Sequence, residues 1–213
     1  MSELVVVRHG RTKANATGLL LGRLDVPLDP IGEAQAAALA AAVHAHVERS
    51  GGTIAAVVSS PLLRTRQTAA AFGFDVQIDD RLIELDYGDL DGTPIADVPV
   101  EVWAAWRSDA TFRPPGCAES LADVQGRVEA ACVDWSQRVD GAIDGAIDGA
   151  ALAGDTVVLV THVSPLKAAV GWALGIGDGA AWSTHVDPAS ITRIGVGGGR
   201  RVLRTFNETA HLA

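Results

Sequence analysis

An imidazole set between cationic donors at the end of a buried strand can attack phosphorus, and residues 8–15 present that arrangement. Arg8-His9-Gly10 follows the apolar run at 4–7 and precedes Arg11-Thr12-Lys13-Ala14-Asn15. In an open α/β sheet the ligand crevice lies beyond the carboxyl ends of the strands, where a loop aims side chains and backbone N–H groups at one point. His9 is the candidate nucleophile there, and Arg8 offers a planar fork of donors to phosphoryl oxygens. Gly10 permits the close backbone approach that would fix the other ring nitrogen on a carbonyl. Taken alone, the same histidine could be a strand-end residue bonded only to the backbone.

The elements that must position these residues are readable around them. Asp29-Pro30 forms an N-cap and first helical residue, and an Ala-rich helix continues over 33–49 until Gly51-Gly52 stops it. A strand is expected over about 55–59. Pro61 then opens a second helix with Arg64 in its first turn, where the positive helix end and the arginine can act on one anion. Helical pattern returns at about 119–139 and 165–174, and the continuous apolar run at 156–161 reads as a buried strand. Strands near 191–196 and 202–206 make a hairpin about Gly197-Gly198-Gly199. Alternating strands and helices predict an α/β fold of three layers, α/β/α, with a mostly parallel central sheet. One domain, 1–213, is expected, with a cap or insertion segment at about 85–155. Within it, 140–150 repeats Asp-Gly-Ala-Ile with a period of four, too short and Gly-rich for a solenoid, and reads as a surface loop rather than a calcium site.

Three further strings stand in order along the chain: Ser59-Ser60-Pro61-Leu62-Leu63-Arg64-Thr65-Arg66-Gln67-Thr68-Ala69, Glu84-Leu85-Asp86-Tyr87-Gly88-Asp89 and Val160-Thr161-His162-Val163. Together with Arg-His-Gly, four residues, Asn, they resemble the motifs of the histidine phosphatase superfamily, which includes the phosphoglycerate mutases, over nearly the whole chain. His185 and His211 are similar to recurring positions in the α-ribazole phosphatase type, and structural roles are expected for both. The resemblance implies a phosphoglycerate mutase-like fold and a phosphohistidine on His9. Arg8, Arg64 and His162 would clamp phosphate, Asn15 would add an amide donor, and Glu84 would donate a proton from an enclosed site. It also implies no metal and no organic cofactor. Arg11 and Arg23 are candidates for the substrate rim, against a purely solvated role.

Composition bounds the partners. With 17 basic and 26 acidic residues the net charge is −9, which argues against a general nucleic-acid binder, since such proteins need a basic face. Hydrophobic residues make up 48% and aromatics 5%, so the core must be Ala, Val and Leu. No apolar run approaches a signal peptide or membrane span, so no membrane partner and a cytoplasmic location are expected. Cys117 and Cys132 fit neither a disulfide framework nor a zinc spacing; Cys132 reads as helix core and Cys117 as a small residue near the pocket. His44 and His46, two apart on a helix, cannot face one ligand.

Three readings remain: a phosphatase for a small phosphomonoester, a mutase-type isomerase, and a non-catalytic phosphate-binding relative. From 85 to 161 only Arg107, Arg113, Arg127 and Arg138 stand against 14 acidic residues, a balance poorly suited to a bisphosphorylated anion. Trp103, Trp106 and Phe112 offer stacking walls or helix core. Monophosphates with neutral or aromatic leaving groups are the expected substrates, and a homodimer would be ordinary for such a family.

Overall fold

The sheet that carries the strand-end residues is seen in a computed structural model, which describes residues 2–117, 119–140 and 155–213. In chain order the elements are β1 (Glu3–Arg8), α1 (Lys13–Ala16), α2 (Pro30–Arg49), β2 (Ile54–Ser59), α3 (Leu63–Ala70), β3 (Val76–Ile78), α4 (Val100–Ser108), α5 (Leu121–Asp140), β4 (Thr156–Thr161), α6 (Val163–Leu174), β5 (Ile191–Gly197) and β6 (Arg200–Glu208), joined by short 3₁₀ turns. The strand order is β3-β2-β4-β1-β5-β6. The first four run parallel, and β5 and β6 complete the sheet as an antiparallel hairpin.

Alternation along the strands explains the layers. Leu4 and Val6 of β1, Ala56 and Val58 of β2, and Val157 and Leu159 of β4 face one core, shared with Val124, Val128, Cys132 and Trp135 of α5 and Leu166 and Val170 of α6. Val5, Val7, Val57, Val158 and Val160 face the other, shared with Leu39, Ala40, Val43 and Val47 of α2 and Ala69 of α3. Each such Val or Leu contributes about 1.5–3 kcal/mol by leaving water. The mostly parallel three-layer α/β/α sandwich is thus the phosphoglycerate mutase-like fold, and Cys132 lies in its core.

Local signals set most boundaries, and three shift for identifiable reasons. Pro61 does not open α3. Leu62 takes an extended N-cap conformation, and the carboxylate of Asp25 accepts from Leu63 N (2.5 Å), so Arg64 becomes the second helical residue. α6 starts at Val163 rather than Pro165, because a proline in the first turn loses no helical hydrogen bond. α5 starts at Leu121 rather than Glu119; Ser120 and Asp123 bond reciprocally, Ser120 N to Asp123 Oδ2 at 2.8 Å and Asp123 N to Ser120 Oγ at 3.3 Å. α2 begins as expected, with Asp29 accepting from Gly32 N at 2.8 Å and Pro30 at its start.

Within the segment expected as a cap, Leu85, Trp103, Trp106 and the first residue of α5, Leu121, reach the strand-end region, whereas the rest of α5 packs across a face of the sheet. The Asp-Gly-Ala-Ile repeat, beyond Asp140, lies outside the described residues.

Candidate active site

Three parallel strands end in side chains with chemistry: β1 leads into His9, β2 into Ser60 and β4 into His162. Parallel pairing of β1 with β4 sets Arg8 opposite Thr161. The next residues, His9 and His162, therefore meet, with ring centroids 5.1 Å apart and planes at 62°.

His9 is fixed by the backbone. Its Nδ1 lies 2.7 Å from Gly10 O and must donate there, which leaves Nε2 as the unprotonated nitrogen. Gly10 is required by packing. A Cβ on it would strike the carbonyl of Gly32, and one on Gly32 would strike Arg11 O, so two glycines let the N-terminus of α2 press against the His9 loop. Thr68 of α3 adds a tie, its Oγ1 accepting from Gly10 N at 3.1 Å. Burial holds His9 well below the usual histidine pKa, with the charges of Arg64 and Arg8 pushing the same way and the Gly10 bond opposing. The ring is therefore neutral at physiological pH.

Arg64 and His162 form one unit behind His9. Arg64 is fully buried; its Nε donates to His162 Nδ1 at 3.2 Å, and its terminal nitrogens donate to Leu24 O (2.8 Å) and Gly22 O (2.6 Å). With Nδ1 accepting, His162 carries its proton on Nε2, which donates to Ser60 Oγ at 2.8 Å. Burial first, then the Arg64 charge, hold His162 well below its ordinary pKa. The loop whose carbonyls receive Arg64 is itself held by Asp91, whose carboxylate accepts from the amides of Gly22, Arg23 and Leu24 at 2.7–2.8 Å.

Glu84 arrives from β3 along an anchored path. Asp79 N bonds Ser59 O, Trp135 Nε1 donates to the Asp79 carboxylate at 2.9 Å, and Thr161 Oγ1 donates to Leu82 O at 2.6 Å. The buried Glu84 carboxylate then accepts from Leu85 N (2.7 Å), Val163 N (3.0 Å) and Ser164 N (3.2 Å), the last two at the N-terminus of α6.

Arg8, His9, Asn15, Glu84 and Tyr87 line a cleft of about 320 Å³, walled further by Leu19–Leu21, Ile95, Val163 and Pro188. Arg8 donates to Val186 O at 2.7 Å, and its buried Nε finds no partner among the described residues. Burial lowers its pKa to about 10, so it remains charged at neutral pH. Asn15 spends its amide oxygen on Thr12, accepting from N (3.1 Å) and Oγ1 (2.9 Å), which leaves Nδ2 to donate.

Arg64 and His162, both fully buried, are not among the residues that line this cleft, and neither are Arg11 and Arg23. Arg11 bonds Asp29 at 2.8 Å beside the α2 start, and Arg23 pairs with Glu119 at 3.1 Å on the surface. His185 is exposed against Asp187, and His211 bonds Ala189 O at 2.9 Å. His44 and His46 turn to different partners, Phe72 O and Glu3. Cys117 packs against Asp86 and Glu119 and not in the cleft wall; burial raises its thiol pKa and keeps it protonated. Among the described residues no group of three or more His, Cys, Asp or Glu side chains could hold a metal ion, and no helix is long and apolar enough to cross a membrane.

Sequence reasoning missed two residues. Ser60, which accepts from His162 Nε2, stood in one of the motifs with no signal beyond its place at a strand end. Tyr87 places its ring in the cleft wall and its hydroxyl 3.4 Å from Ser164 Oγ; burial and the Glu84 charge raise its pKa, so it stays a phenol. Its position three residues after Glu84 was the available cue.

Comparison with known proteins finds relatives along the whole chain. A bifunctional protein of Mycobacterium tuberculosis is 33% identical over 219 residues that take in 99% of this chain and 55% of that protein, so the chain spans about half the length of that relative. Phosphoserine phosphatase 1 of Hydrogenobacter thermophilus is 30% identical over 224 residues, covering 100% of this chain and 95% of the relative. The structure of a mycobacterial glucosyl-3-phosphoglycerate phosphatase in complex with VO3 superimposes with a TM-score of 0.78 at 28% identity, covering 98% of this chain and 100% of that one. The family model of the histidine phosphatase superfamily (branch 1) matches residues 4–209, and the chain belongs to that superfamily.

Proposed function

We propose that this chain is a phosphatase that hydrolyses a small phosphomonoester through a phosphohistidine on His9. The observation that carries the proposal is the 2.7 Å bond from His9 Nδ1 to Gly10 O, which presents a neutral ring with its Nε2 lone pair available in a cleft shared with Arg8 and Glu84. In the first step Nε2 attacks phosphorus, the bond to the leaving oxygen breaks, and Glu84 gives that oxygen its proton. Arg8 and the Asn15 amide take the phosphoryl oxygens, while buried Arg64 supplies positive charge from behind and His162, bonded to Arg64 and Ser60, holds it in place. In the second step the Glu84 carboxylate accepts a proton from water as the water oxygen bonds phosphorus and the P–N bond breaks. Phosphate leaves and His9 is restored. No step uses a metal.

Hydrolysis is favoured over mutase chemistry by the cap arginines, all of which are occupied. Arg107 lies over Trp103 and Trp182, Arg113 pairs with Asp123, Arg127 with Glu119, and Arg138 lies over Trp135. None of the four lines the cleft, so no arginine there is available to hold a second phosphate.

The test is a quenched turnover with ³²P-labelled phosphomonoester. Acid-labile, base-stable label should appear on the wild-type protein and be absent from His9→Ala. Equal turnover by the two proteins would refute the mechanism.

A further inference from the structure

Beside the cleft lies a second cavity of about 180 Å³, walled by Trp103, Trp106, Trp182, Tyr87, Leu85 and Leu121 and containing Lys167. It adjoins the cleft directly. Tyr87 and Val163 line both, and the Val163 and Ser164 amides that hold Glu84 belong to the cavity wall. A leaving oxygen within reach of Glu84 therefore has the cavity as its neighbour.

One polar group of this wall stands out. Lys167, one of only two lysines in the chain, has its ammonium half-buried on the carbonyl of Ala181 at 2.7 Å, with no carboxylate in direct contact among the described residues. An ammonium has three N–H groups to place. Burial lowers its pKa, opposed by the Glu84 charge across the α6 start. The walls are aromatic rings packed edge to face, Trp103 against Trp182 at 6.0 Å and Tyr87 against Trp106 at 5.4 Å, and Arg107 covers the Trp103 and Trp182 rings at 5.9 and 5.6 Å.

We propose that this cavity is the leaving-group subsite and that it selects a flat, apolar or aromatic group bearing one anionic acceptor such as a carboxylate. The rings take the flat body and Lys167 the acceptor's charge. A neutral aromatic group leaves Lys167 without its acceptor, and a second phosphate would place a dianion among tryptophans; both are disfavoured. The assignment rests on the phosphatase reading for its substrate and on the cavity alone for its ligand.

Phenyl phosphate and 4-carboxyphenyl phosphate separate the possibilities. Wild type should prefer the carboxylated ester by about tenfold in kcat/KM, the worth of one charge-assisted hydrogen bond. Lys167→Met, which keeps the stem and removes the charge, should bring that ratio to about one. In parallel, calorimetric binding of 4-hydroxybenzoate against phenol should show the same preference in wild type and its loss in Lys167→Met. If neither ester is hydrolysed, the phosphatase reading fails while the binding arm still decides the subsite. A preference that survives Lys167→Met in the binding arm, or that wild type lacks, overturns the proposal.

Discussion

Replacing Glu84 by glutamine isolates the proton from the charge and from most of the packing. The carboxylate uses both oxygens: Oε1 accepts from Leu85 N at 2.7 Å and Ser164 N at 3.2 Å, and Oε2 accepts from Val163 N at 3.0 Å. Glutamine keeps one acceptor but turns an NH₂ toward at least one of these N–H groups. One bond is lost and two donors face each other, a cost of about 1–3 kcal/mol, which for a chain of this size lowers Tm by roughly 2–10 °C. The protein should remain folded. Activity should fall more sharply, by about 10²–10⁴ in kcat/KM for an alkyl phosphate, the usual contribution of a general acid. A nitrophenyl leaving group departs without needing a proton, so its loss should be much smaller, on the order of tenfold. Steady-state assays with glycerol phosphate and 4-nitrophenyl phosphate, with thermal unfolding of both proteins, provide the comparison. Equal losses on the two substrates would show that Glu84 does not protonate the leaving oxygen.

The remaining expectations follow from the same geometry. His9 and His162 are both held below their usual pKa by burial, so the unfolded chain binds protons below about pH 6.5 that the folded chain refuses. Stability is therefore fully present above pH 6.5 and falls on acidification by up to about 2.7 kcal/mol per pH unit; urea unfolding between pH 5 and 7.5 should show this, with a shallower slope for His9→Gln. Arg64→Lys keeps the charge but loses the fork that holds Gly22 O, Leu24 O and His162 Nδ1, and should cost about 2–5 kcal/mol in urea unfolding and about 10²–10³ in kcat. Activity should be unchanged by a chelator and inhibited by vanadate, whose trigonal-bipyramidal form resembles the phosphoryl transition state; activity abolished by EDTA and restored by a divalent ion would contradict the mechanism.

What the sequence determined by itself was whatever local pattern and order could encode. The alternation through Leu4, Val5, Val6 and Val7 dictates a strand buried on both faces, and Asp29-Pro30 supplies a local helix start. Arg8, His9, Asn15, Arg64, Glu84 and His162 could be singled out as candidates because their motifs stand in order along the chain, and Arg8, His9, Asn15 and Glu84 come to line one cleft. Tertiary structure decided the rest, through partners far apart in the chain. Arg64 and His162, 98 residues apart, became a hydrogen-bonded unit, and Glu84 found its amides at the start of α6, about 80 residues on. Arg11 and Arg23 looked equally suited to a phosphate, but nearby Asp29 and Glu119 hold them away from the cleft. The tryptophan cavity likewise required α4, the α6 face and the segment around Trp182 to converge. A short-range pattern fixes which way a side chain leaves its own element, and only the packing of elements fixes what it meets.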